Sequence, residues 1–527
     1  MKNSEIWLAA RELEGWAEAG GVKDVVRDQA EAFGRLGWTC RVVLPLYGFL
    51  KDRVVGGGRL VWRGISAHAS AVPVEAWQVQ EDGFEAVFLD TPSFADKASP
   101  YTYTAADEAA EPQHVKGQGF ADTWRVNLEF QWAAVSFWAS CAPRLVLAHD
   151  GHAGFLPAIA RMGPFGSAFA GTSFGVIIHN AGQGYRQEMP ATPDTEACLG
   201  LPEEEVRGAR LDGLLDPFVS ASRHAKLITV SENYADELNT GRNDSWSGPF
   251  GAWLRTREPL QGITNGISLR DKDPRDGIRS GLPAAFDPLS GGLAGKRLCR
   301  GALERAVSGL RADVHGGFTR WDGVLYVMQG RLTAQKGIDA LADVIERALG
   351  ENVPALFLVM GQGERRYEER LRGLARDPRN GGRFLFLNTY DEAAARLVFA
   401  AGDFFLVPSV YEPCGLTDLK AQLMATLPIV HRVGGLVKVL DGVTGFSYDD
   451  VEGLWGAFQR SAELWRTNPS AVAEMRRRAF ARVLNDFDWT KILAERYLPW
   501  LTGGRPVPIL SVPRQLSSGV EQRTCNA

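Results

Sequence analysis

Residues 408–436 read PSVYEPCGLTDLKAQLMATLPIVHRVGGL, and this stretch decides the fold class. It follows Phe404–Val407, a short apolar run of the kind that forms a buried parallel strand. Pro408 ends that strand, and a helical pattern resumes at Leu416. The segment therefore predicts a strand, a tight loop and a helix, which is the unit from which α/β proteins are built.

The start of the predicted helix is suited to binding a phosphate. Its first amides have no partner within the helix, and the helix dipole favours an anion there. Glu412 at the loop tip only accepts hydrogen bonds when ionised, which suits sugar hydroxyls better than phosphate oxygens. A charged loop before an ordinary helix remains the alternative for this segment taken alone. The residues expected to form the phosphate site are Cys414, Gly415, Leu416 and Thr417.

A second loop places two cations after another apolar strand. Residues 329–337 read QGRLTAQKG and follow the apolar run Val324–Met328. Arg331 offers a planar fork and Lys336 a mobile point charge, so the two side chains are suited to clamping a diphosphate. Two solvated loop cations are the alternative interpretation, and the rest of the chain argues against it.

Apolar runs that end in polar or glycine-containing loops occur in two series along the chain. This alternation predicts an α/β fold with two doubly wound, Rossmann-like sheets whose carboxyl strand ends carry the chemistry. The first series is Ile6–Ala10, Arg41–Leu46, Leu145–Ala148, Gly175–His179 and Lys226–Ser231. The second series is Val324–Met328, Ala355–Met360, Phe384–Leu387 and Phe404–Val407.

The domain boundaries follow from length and composition. A chain of 527 residues is too long for one ordinary core. Residues 268–295 are rich in Gly, Pro, Asp and Arg, as expected for an inter-domain connection. We expect both sets of strand ends to face a deep cleft, which domain closure completes. The predicted divisions are an N-terminal Rossmann-like domain at 1–268, a C-terminal Rossmann-like domain at 269–505, which carries the predicted phosphate site, and a tail at 506–527.

Composition and charge exclude several classes of protein. A net charge of −5 without a basic stretch excludes a nucleic-acid footprint. No segment approaches the roughly 18 apolar residues needed to cross a bilayer, so no membrane partner is expected. The six cysteines are widely spaced and predict neither a disulfide framework nor a zinc site. We expect a cytoplasmic protein with reduced thiols.

The histidines raise the question of a metal. His149 and His152 lie three positions apart, and a metal pair, a buried hydrogen-bonded pair and polar cleft residues are the alternatives. No third ligand lies nearby in sequence, so we predict no metal site. His179 ends an apolar strand, where a hydrogen-bonded structural role is the common one.

Several motifs together resemble one known family. In the C-terminal half they are EPCGLT at 412–417, RLTAQKG at 331–337, and GGL at 434–436 with DGVTGF at 441–446. In the N-terminal half they are AGGVKD at 19–24 after Glu12, HDGHAG at 149–154, IHN at 178–180, VS and YA within 230–235, and NGI at 265–267. These motifs resemble the bacterial glycogen synthase and plant starch synthase family of retaining glucosyltransferases, which have the two-domain GT-B fold. They run in family order from about residue 6 to about residue 490, nearly the whole chain.

The resemblance implies a glucosyltransferase site in the cleft. By resemblance, Glu412 sits by the donor sugar, and Arg331 and Lys336 neutralise the departing diphosphate. His179 is implied to lie on the sugar face opposite the leaving group, with Asp150 counted among the catalytic residues. The residues implied in donor binding at the first strand-to-helix turn are Gly20, Gly21 and Asp24. Those implied in the sugar and acceptor lining are His152, Asn180 and Asn265.

The implied reaction transfers glucose from a nucleoside diphosphate to the non-reducing 4-hydroxyl of an α-1,4-glucan, with retention of configuration. The resemblance favours ADP-glucose as donor, and UDP-glucose stays open. Retention by double displacement on a carboxylate and retention by same-face attack both stay open, although the resemblance favours the second. Neither cofactor nor metal is expected, because cations and helix-start amides hold the phosphates. The oligomeric state is left without a prediction.

Four departures from the family pattern bear on these roles. Glu18 stands where the family has Lys before the double glycine, so that an anion replaces a phosphate-binding cation, and Lys23 is a candidate to compensate. Gly151 replaces a Trp, the loop after Asn180 is one residue shorter, and Lys420 stands where Tyr is usual. Two alternatives therefore stay open: another retaining GT-B glycosyltransferase, and a catalytically weak relative that binds glucan.

Overall fold

The computed structural model describes residues 4–68, 70–309, 314–389, 391–450 and 453–504. The predicted tail at 506–527 lies outside the described residues. No helix in the described part of the chain is long and apolar enough to cross a membrane.

The N-terminal half is built on a nine-stranded sheet. Its first seven strands in spatial order are parallel, and the last two form an antiparallel edge. Each strand of the first predicted series is present. The strands in spatial order are Gln261–Gly262, Lys226–Thr229, Ser173–Ile178, Leu145–His149, Glu5–Ala9, Thr39–Pro45, Glu85–Asp90, Pro73–Gln80 and Arg59–Ile65.

The C-terminal half is built on a seven-stranded sheet that is parallel except at one edge. Successive residues of Val324–Gln329 alternate between two apolar clusters, Tyr326 in one and Leu325 and Val327 in the other. Both faces of the sheet are therefore covered, which explains why its strands are continuous apolar runs. In spatial order the strands are Val314–Phe318, Arg383–Leu387, Ala355–Met360, Val324–Gln329, Phe404–Val407, Leu427–His431 and Phe446–Tyr448.

Helices connect the strands of both sheets. Those of the N-terminal half are Val22–Arg35, Lys51–Gly57, Ala105–Ala110, Thr123–Trp138, Leu156–Met162, Pro193–Leu199, Glu203–Gly208, Pro217–Ala221, Glu232–Thr240, Asp244–Ser247 and Pro249–Leu254. Those of the C-terminal half are Ala294–Gly309, Ile338–Gly350, Arg365–Arg376, Glu392–Ala401, Thr417–Leu423, Gly453–Thr467, Pro469–Asp486, Trp489–Ile492 and Leu498–Thr502. A small sheet beside the first one consists of Met189–Pro190, Leu214–Leu215 and Arg210–Leu211.

The chain returns to its N-terminal half at the end. Trp489, Tyr497 and Leu501 are buried in the same apolar cluster as the strands of the N-terminal sheet. Lys226 Nζ also donates to the Trp500 carbonyl at 2.7 Å. The last segment of the range 269–505 thus packs on the N-terminal sheet, while the boundary at residue 268 stays a prediction.

In each sheet the strand order reverses beside the first parallel strand of the domain. Glu5–Ala9 lies between Thr39–Pro45 and Leu145–His149, and Val324–Gln329 lies between Ala355–Met360 and Phe404–Val407. Ligands of open α/β sheets bind at such switch points, in the crevice at the carboxyl strand ends. The crevice of each domain is therefore set by topology.

The carboxyl ends of the two sheets face each other. Asn180 follows one N-terminal strand and accepts a hydrogen bond from Tyr411, which follows a C-terminal strand. Ser231 Oγ donates to the Pro413 carbonyl at 2.6 Å in the same way. The loops after the strands thus meet between the domains.

Candidate active site

The C-terminal switch point brings a cation and a carboxylate together. Lys336 Nζ lies 2.6 Å from Glu412 Oε2, and Ser409 Oγ donates to the same oxygen at 2.9 Å. Burial raises the pKa of Glu412, but the Lys336 ammonium and the Ser409 hydroxyl lower it more, and the pKa ends below its usual value. Glu412 is therefore ionised at neutral pH.

The two loops that carry this pair are locked to each other. The Val410 amide donates to the Gln335 carbonyl at 3.0 Å, and Gln335 Nε2 donates to the Tyr411 carbonyl at 3.0 Å. Gly337 has φ +67°, and a Cβ there would lie 2.0 Å from the Pro408 carbonyl oxygen. Only glycine allows this approach, so the RLTAQKG loop fixes Lys336 against the EPCGLT loop.

The predicted phosphate site lies beside Glu412 and has free amides. None of the four amides of residues 414–417 donates a hydrogen bond to the described residues. Behind them, the buried Lys438 ammonium binds the carbonyls of Cys414 and Gly415 at 2.6 and 2.8 Å. It also pairs with Asp418 at 3.0 Å, while burial raises the pKa of Asp418 to about 6. Because the carbonyls point to Lys438, the amides are left for a ligand.

Arg331, the second cation of the predicted clamp, reaches across the cleft. Both of its terminal nitrogens lie 3.3 Å from the hydroxyl of Tyr185 in the N-terminal domain. Tyr185 is 40% exposed, so this contact lies at the open side of the cleft. The structure therefore joins Lys336 to Glu412 and Arg331 to the opposite domain.

The glycine loop of the N-terminal domain is held by Glu12. Its carboxylate accepts from the amides of Ala19 and Gly20 at 3.1 and 2.6 Å. Burial raises the pKa of Glu12, although these hydrogen bonds lower it in part. The Gly20 amide is thus occupied, whereas the Gly21 amide makes no hydrogen bond with the described residues.

Asp150 and His179 form a buried polar group at the N-terminal switch point. Asp150 has φ +60°, and its Oδ1 accepts from the amides of His179 and Asn180 at 2.8 and 3.3 Å. Burial raises the pKa of Asp150 to about 8 against these two hydrogen bonds. His179 Nε2 lies 3.0 Å from His149 Nδ1, and burial lowers the pKa of His179 to about 3. The two imidazoles are therefore neutral.

The remaining predicted residues lie around this group. His152 stacks on Tyr101 with 4.7 Å between ring centroids, and burial lowers its pKa. Asn265 is buried, and its Oδ1 has no hydrogen-bond partner among the described residues. Such an unsatisfied atom is suited to a ligand hydroxyl. Within the described ranges, no group of three His, Cys, Asp or Glu side chains is placed to hold a metal ion.

Comparisons with known proteins decide the family. Residues 5–248 match the model described as starch synthase catalytic domain, and residues 323–463 match glycosyl transferases group 1. The chain is 30% identical over 494 residues to a glycogen synthase of Aeromonas hydrophila, covering 90% of this chain and 94% of that protein. A glycogen synthase of Burkholderia thailandensis is 31% identical over 505 residues, covering 92% and 88%. The chain belongs to the glycogen synthase family.

Solved structures agree with this family membership at the level of the fold. The catalytic domain of starch synthase IV from Arabidopsis thaliana matches with a TM-score of 0.79 at 21% identity, covering 95% of this chain and 99% of that chain. Sucrose-phosphate synthase from Thermosynechococcus elongatus matches with a TM-score of 0.54 at 17% identity, covering 95% and 100%. The predicted GT-B fold is confirmed.

Two departures from the glycogen synthase family pattern are joined by a chain of charges. Lys23 Nζ lies 3.3 Å from both Glu18 Oε2 and Asp24 Oδ1, and Asp24 Oδ2 lies 3.0 Å from Lys420 Nζ. Burial raises the pKa of Asp24, but Lys420 and Lys23 lower it to about 2. Glu18 and Lys420 are thus the ends of one alternating series that crosses the cleft, the charge series.

The other two departures are also linked in space. A Cβ at Gly151 would lie 1.8 Å from the Arg186 carbonyl oxygen. Arg186 follows the loop that is one residue shorter than the family's, and its backbone passes where a larger side chain at 151 would stand. The Arg186 backbone therefore leaves no room for a side chain at position 151 in this chain.

Sequence reasoning missed several residues that position this site. Tyr185, Ser409, Tyr411 and Lys438 contact predicted residues directly, whereas Tyr234 and Trp246 contact Tyr411. Only Tyr411 and Ser409 lie within the quoted stretch. Tyr411 could have been suspected because it directly precedes Glu412. Nothing around Lys438 in the sequence distinguishes it from an ordinary loop lysine. The missed residues are Tyr185, Tyr234, Trp246, Ser409, Tyr411 and Lys438.

Proposed function

We propose that this member of the glycogen synthase family transfers glucose from ADP-glucose to the non-reducing 4-hydroxyl of an α-1,4-glucan with retention of configuration. The observation that carries the proposal is the pairing of Lys336 with Glu412 beside the free amides of residues 414–417. A carboxylate that can bind sugar hydroxyls then lies at one switch point together with an ammonium and backbone amides that can bind phosphate.

The relatives support the choice of substrates. The curated relatives compared above are glycogen synthases, and the starch synthase IV structure is described as bound to ADP and acarbose. We infer from these names an adenosine nucleotide and a glucan for this chain. UDP-glucose is the donor against which this choice is to be tested.

In this proposal the leaving diphosphate carries the chemistry. As the anomeric carbon becomes oxocarbenium-like, negative charge grows on the diphosphate. Lys336, Arg331 and the amides of 414–417 stabilise this charge in the transition state. These groups are fixed before the reaction, so they need no reorganisation when the charge appears. Neither a metal nor a cofactor has a part in the proposal.

Glu412 binds the donor sugar by accepting hydrogen bonds from its hydroxyl groups. Because Lys336 holds its pKa below the usual value, Glu412 is a weak general base for the attacking hydroxyl. The proton of the attacking 4-hydroxyl therefore passes to an oxygen of the leaving phosphate, and attack occurs on the face from which the phosphate leaves. This sequence retains the anomeric configuration.

The N-terminal domain supplies the opposite wall. We assign neutral His179 to the face opposite the diphosphate and Asp150 to its support, since Asp150 fixes the backbone of His179. The remaining polar lining in the proposal is His152, Asn180 and Asn265, and the donor contacts of this domain are Gly20, Gly21 and Asp24. A cytoplasmic setting with reduced thiols is part of the same proposal.

The test is incorporation of labelled glucose into glycogen by the purified protein, with ADP-glucose and UDP-glucose supplied separately and chelator present. We expect transfer with ADP-glucose, and release of all added label as glucose by an α-specific glucosidase. Transfer with UDP-glucose alone would contradict the donor, and an α-glucosidase-resistant product would contradict retention. Glucan binding without transfer from either donor would establish the catalytically weak relative instead.

A further inference from the structure

The residue before Glu412 belongs to the core of the other domain. Tyr411 is 2% exposed and lies in the apolar cluster of the N-terminal half. Its ring stacks on Trp246, with 5.0 Å between centroids and 12° between planes. The C-terminal catalytic loop is therefore anchored in the N-terminal domain by one aromatic side chain.

The hydroxyl of Tyr411 is part of a hydrogen-bond chain whose direction is fixed. Asn180 Oδ1 accepts from the Gly182 amide at 2.8 Å and from the Tyr411 hydroxyl at 3.0 Å. A carbonyl oxygen has no proton, so Tyr411 must be the donor to it. The Tyr234 hydroxyl must then donate to Tyr411, while it accepts from the Ala181 amide at 2.9 Å.

This direction also fixes the Asn180 carboxamide. The Gly182 amide can only donate, so the atom that it contacts must be the oxygen of the side chain. Asn180 Nδ2 is then the atom left over, and it makes no hydrogen bond with the described residues. Asn180 is only half-buried, so these two N–H donors are available to an acceptor in the cleft.

The N-terminal domain also holds the residue after Glu412 and the glycine turn that contacts the Glu412 carbonyl. Ser231 Oγ donates to the Pro413 carbonyl, and Glu237 Oε1 accepts from the Gly434 amide at 2.7 Å. The next amide, that of Gly435, donates to the Glu412 carbonyl at 3.0 Å. Tyr411 is thus the one link in this group that touches both the Glu412 loop and a predicted sugar-binding side chain.

We propose that Tyr411 is a positioning residue, which turns Asn180 so that its Nδ2 donates to a hydroxyl oxygen of the donor sugar while Glu412 is held in register. This inference rests on the proposed function. It assigns Tyr411, a residue outside the predicted site, a part in recognising the sugar, through a hydroxyl that touches no substrate.

Tyr411→Phe tests the inference because it keeps the ring packed against Trp246 and removes only the hydroxyl. We expect kcat/KM for glucose transfer to fall roughly 10- to 100-fold, since Asn180 loses the partner that orients it. The matched control is Tyr326→Phe, which removes another buried hydroxyl, bonded to Ser461 Oγ at 3.0 Å in the C-terminal core. That variant should lose stability and keep its kcat/KM.

A panel of deoxyglucose donors separates positioning from structural damage. With the donor that lacks the contacted hydroxyl, Tyr411→Phe and the wild type should have equal kcat/KM, whereas with the other donors the deficit should persist. Asn180→Asp, which keeps an acceptor for Tyr411 and loses the Nδ2 donor, should show the same convergence. An equal deficit with every donor, or no deficit at all, would overturn the inference.

The proposed function can fail separately, and that failure has its own signature. If the wild type transfers no glucose, the proposed function is wrong. A crystal structure of Tyr411→Phe then decides the inference alone: Asn180 in a changed rotamer supports it, and an unchanged Asn180 overturns it.

Discussion

Lys336 and Glu412 form an ion pair with Nζ and Oε2 2.6 Å apart, although 76 residues separate them in sequence. Each follows a strand that lies at the C-terminal switch point, Lys336 after Val324–Gln329 and Glu412 after Phe404–Val407. The residues predicted for the diphosphate and for the sugar are therefore in direct contact with each other. The Lys336 ammonium lowers the pKa of Glu412.

Replacement of Lys336 should remove catalysis and spare the fold. We expect Lys336→Ala to lower kcat by about 10²- to 10³-fold, because the lost cation acts mainly on charge that develops in the transition state. Without the ammonium, burial raises the pKa of Glu412, so the acid limb of the residual activity should move to higher pH. Transfer assays from pH 5 to 9 measure both effects.

Arg320→Ala is the control for that variant. Arg320 is an exposed cation of the same domain, paired with Asp322, and it precedes the strand Val324–Gln329, whereas Lys336 follows the other end of that strand. Its loss should leave kcat and the pH profile unchanged. Normal turnover in Lys336→Ala would refute the proposed clamp.

Gly434 should tolerate no side chain. It has φ +48°, and a Cβ there would lie 1.9 Å from the Glu412 carbonyl oxygen, so the backbone of one of the two residues must move. We expect Gly434→Ala to destabilise the protein by about 2–4 kcal/mol and to lower kcat through displacement of Glu412. Urea unfolding and transfer assays are the measurements.

Gly442→Ala separates steric clash from backbone strain. Gly442 has a similar left-handed φ of +68°, but a Cβ there would meet nothing within 4 Å. This variant should lose only about 1 kcal/mol and no activity. Equal effects of the two substitutions would show that the contact with Glu412 is unimportant.

The charge series predicts that Glu18 is adapted to its surroundings. Glu18→Lys places an ammonium against Lys23 and removes the acceptor of the Gly15 amide. We therefore expect donor KM to rise in this variant, although it restores the residue usual in the family. A tighter donor KM would mean that Glu18 is merely tolerated.

The cross-domain end of the series can be measured directly. A double-mutant cycle of Asp24→Asn and Lys420→Met should give a coupling free energy of about 1 kcal/mol, because the pair is only partly shielded from water. Raising the salt concentration to 1 M should reduce this coupling. Additive effects of the two substitutions would show that the pair does not link the domains.

The buried groups of the N-terminal domain predict opposite pH dependences. The pKa of His179 is lowered to about 3, below its unfolded value near 6.5, so its contribution is present above about pH 6.5 and is lost as the pH falls toward 3. Relative to His179→Gln, the wild type should lose roughly 2 kcal/mol of unfolding free energy between pH 7 and 5. Urea titrations at the two pH values measure this difference.

Asp150 should change the free energy of unfolding with pH in the opposite direction to His179. Its pKa is raised to about 8, above the unfolded value near 3.9, so its contribution is complete at low pH and is lost as the pH rises through 8. Relative to Asp150→Asn, the wild type should therefore lose stability between pH 5 and 8. Slopes of the same sign for the two variants would contradict the assigned buried states.

Most strands of the core were predictable, because buried parallel strands leave continuous apolar runs such as Phe404–Val407. The antiparallel edge of the first sheet was not predicted; its strands are Arg59–Ile65 and Pro73–Gln80. This edge is half-exposed, so apolar and polar residues are mixed along it and no continuous apolar run marks the strands. Leu427–His431 was missed inside the quoted stretch, and its Pro428 is unusual for a strand with a neighbour on each side, because proline has no amide to donate.

The sequence by itself determined the two α/β domains and the residue types of the candidate site, because strand periodicity and loop motifs are local properties of the chain. Which residues meet was decided only by tertiary structure. Tyr411 sits in the opposite domain, and Glu18 and Lys420 become ends of one charge series through Lys23 and Asp24. These contacts join positions up to several hundred residues apart, and their energies depend on burial and distance, which no local pattern of residues records.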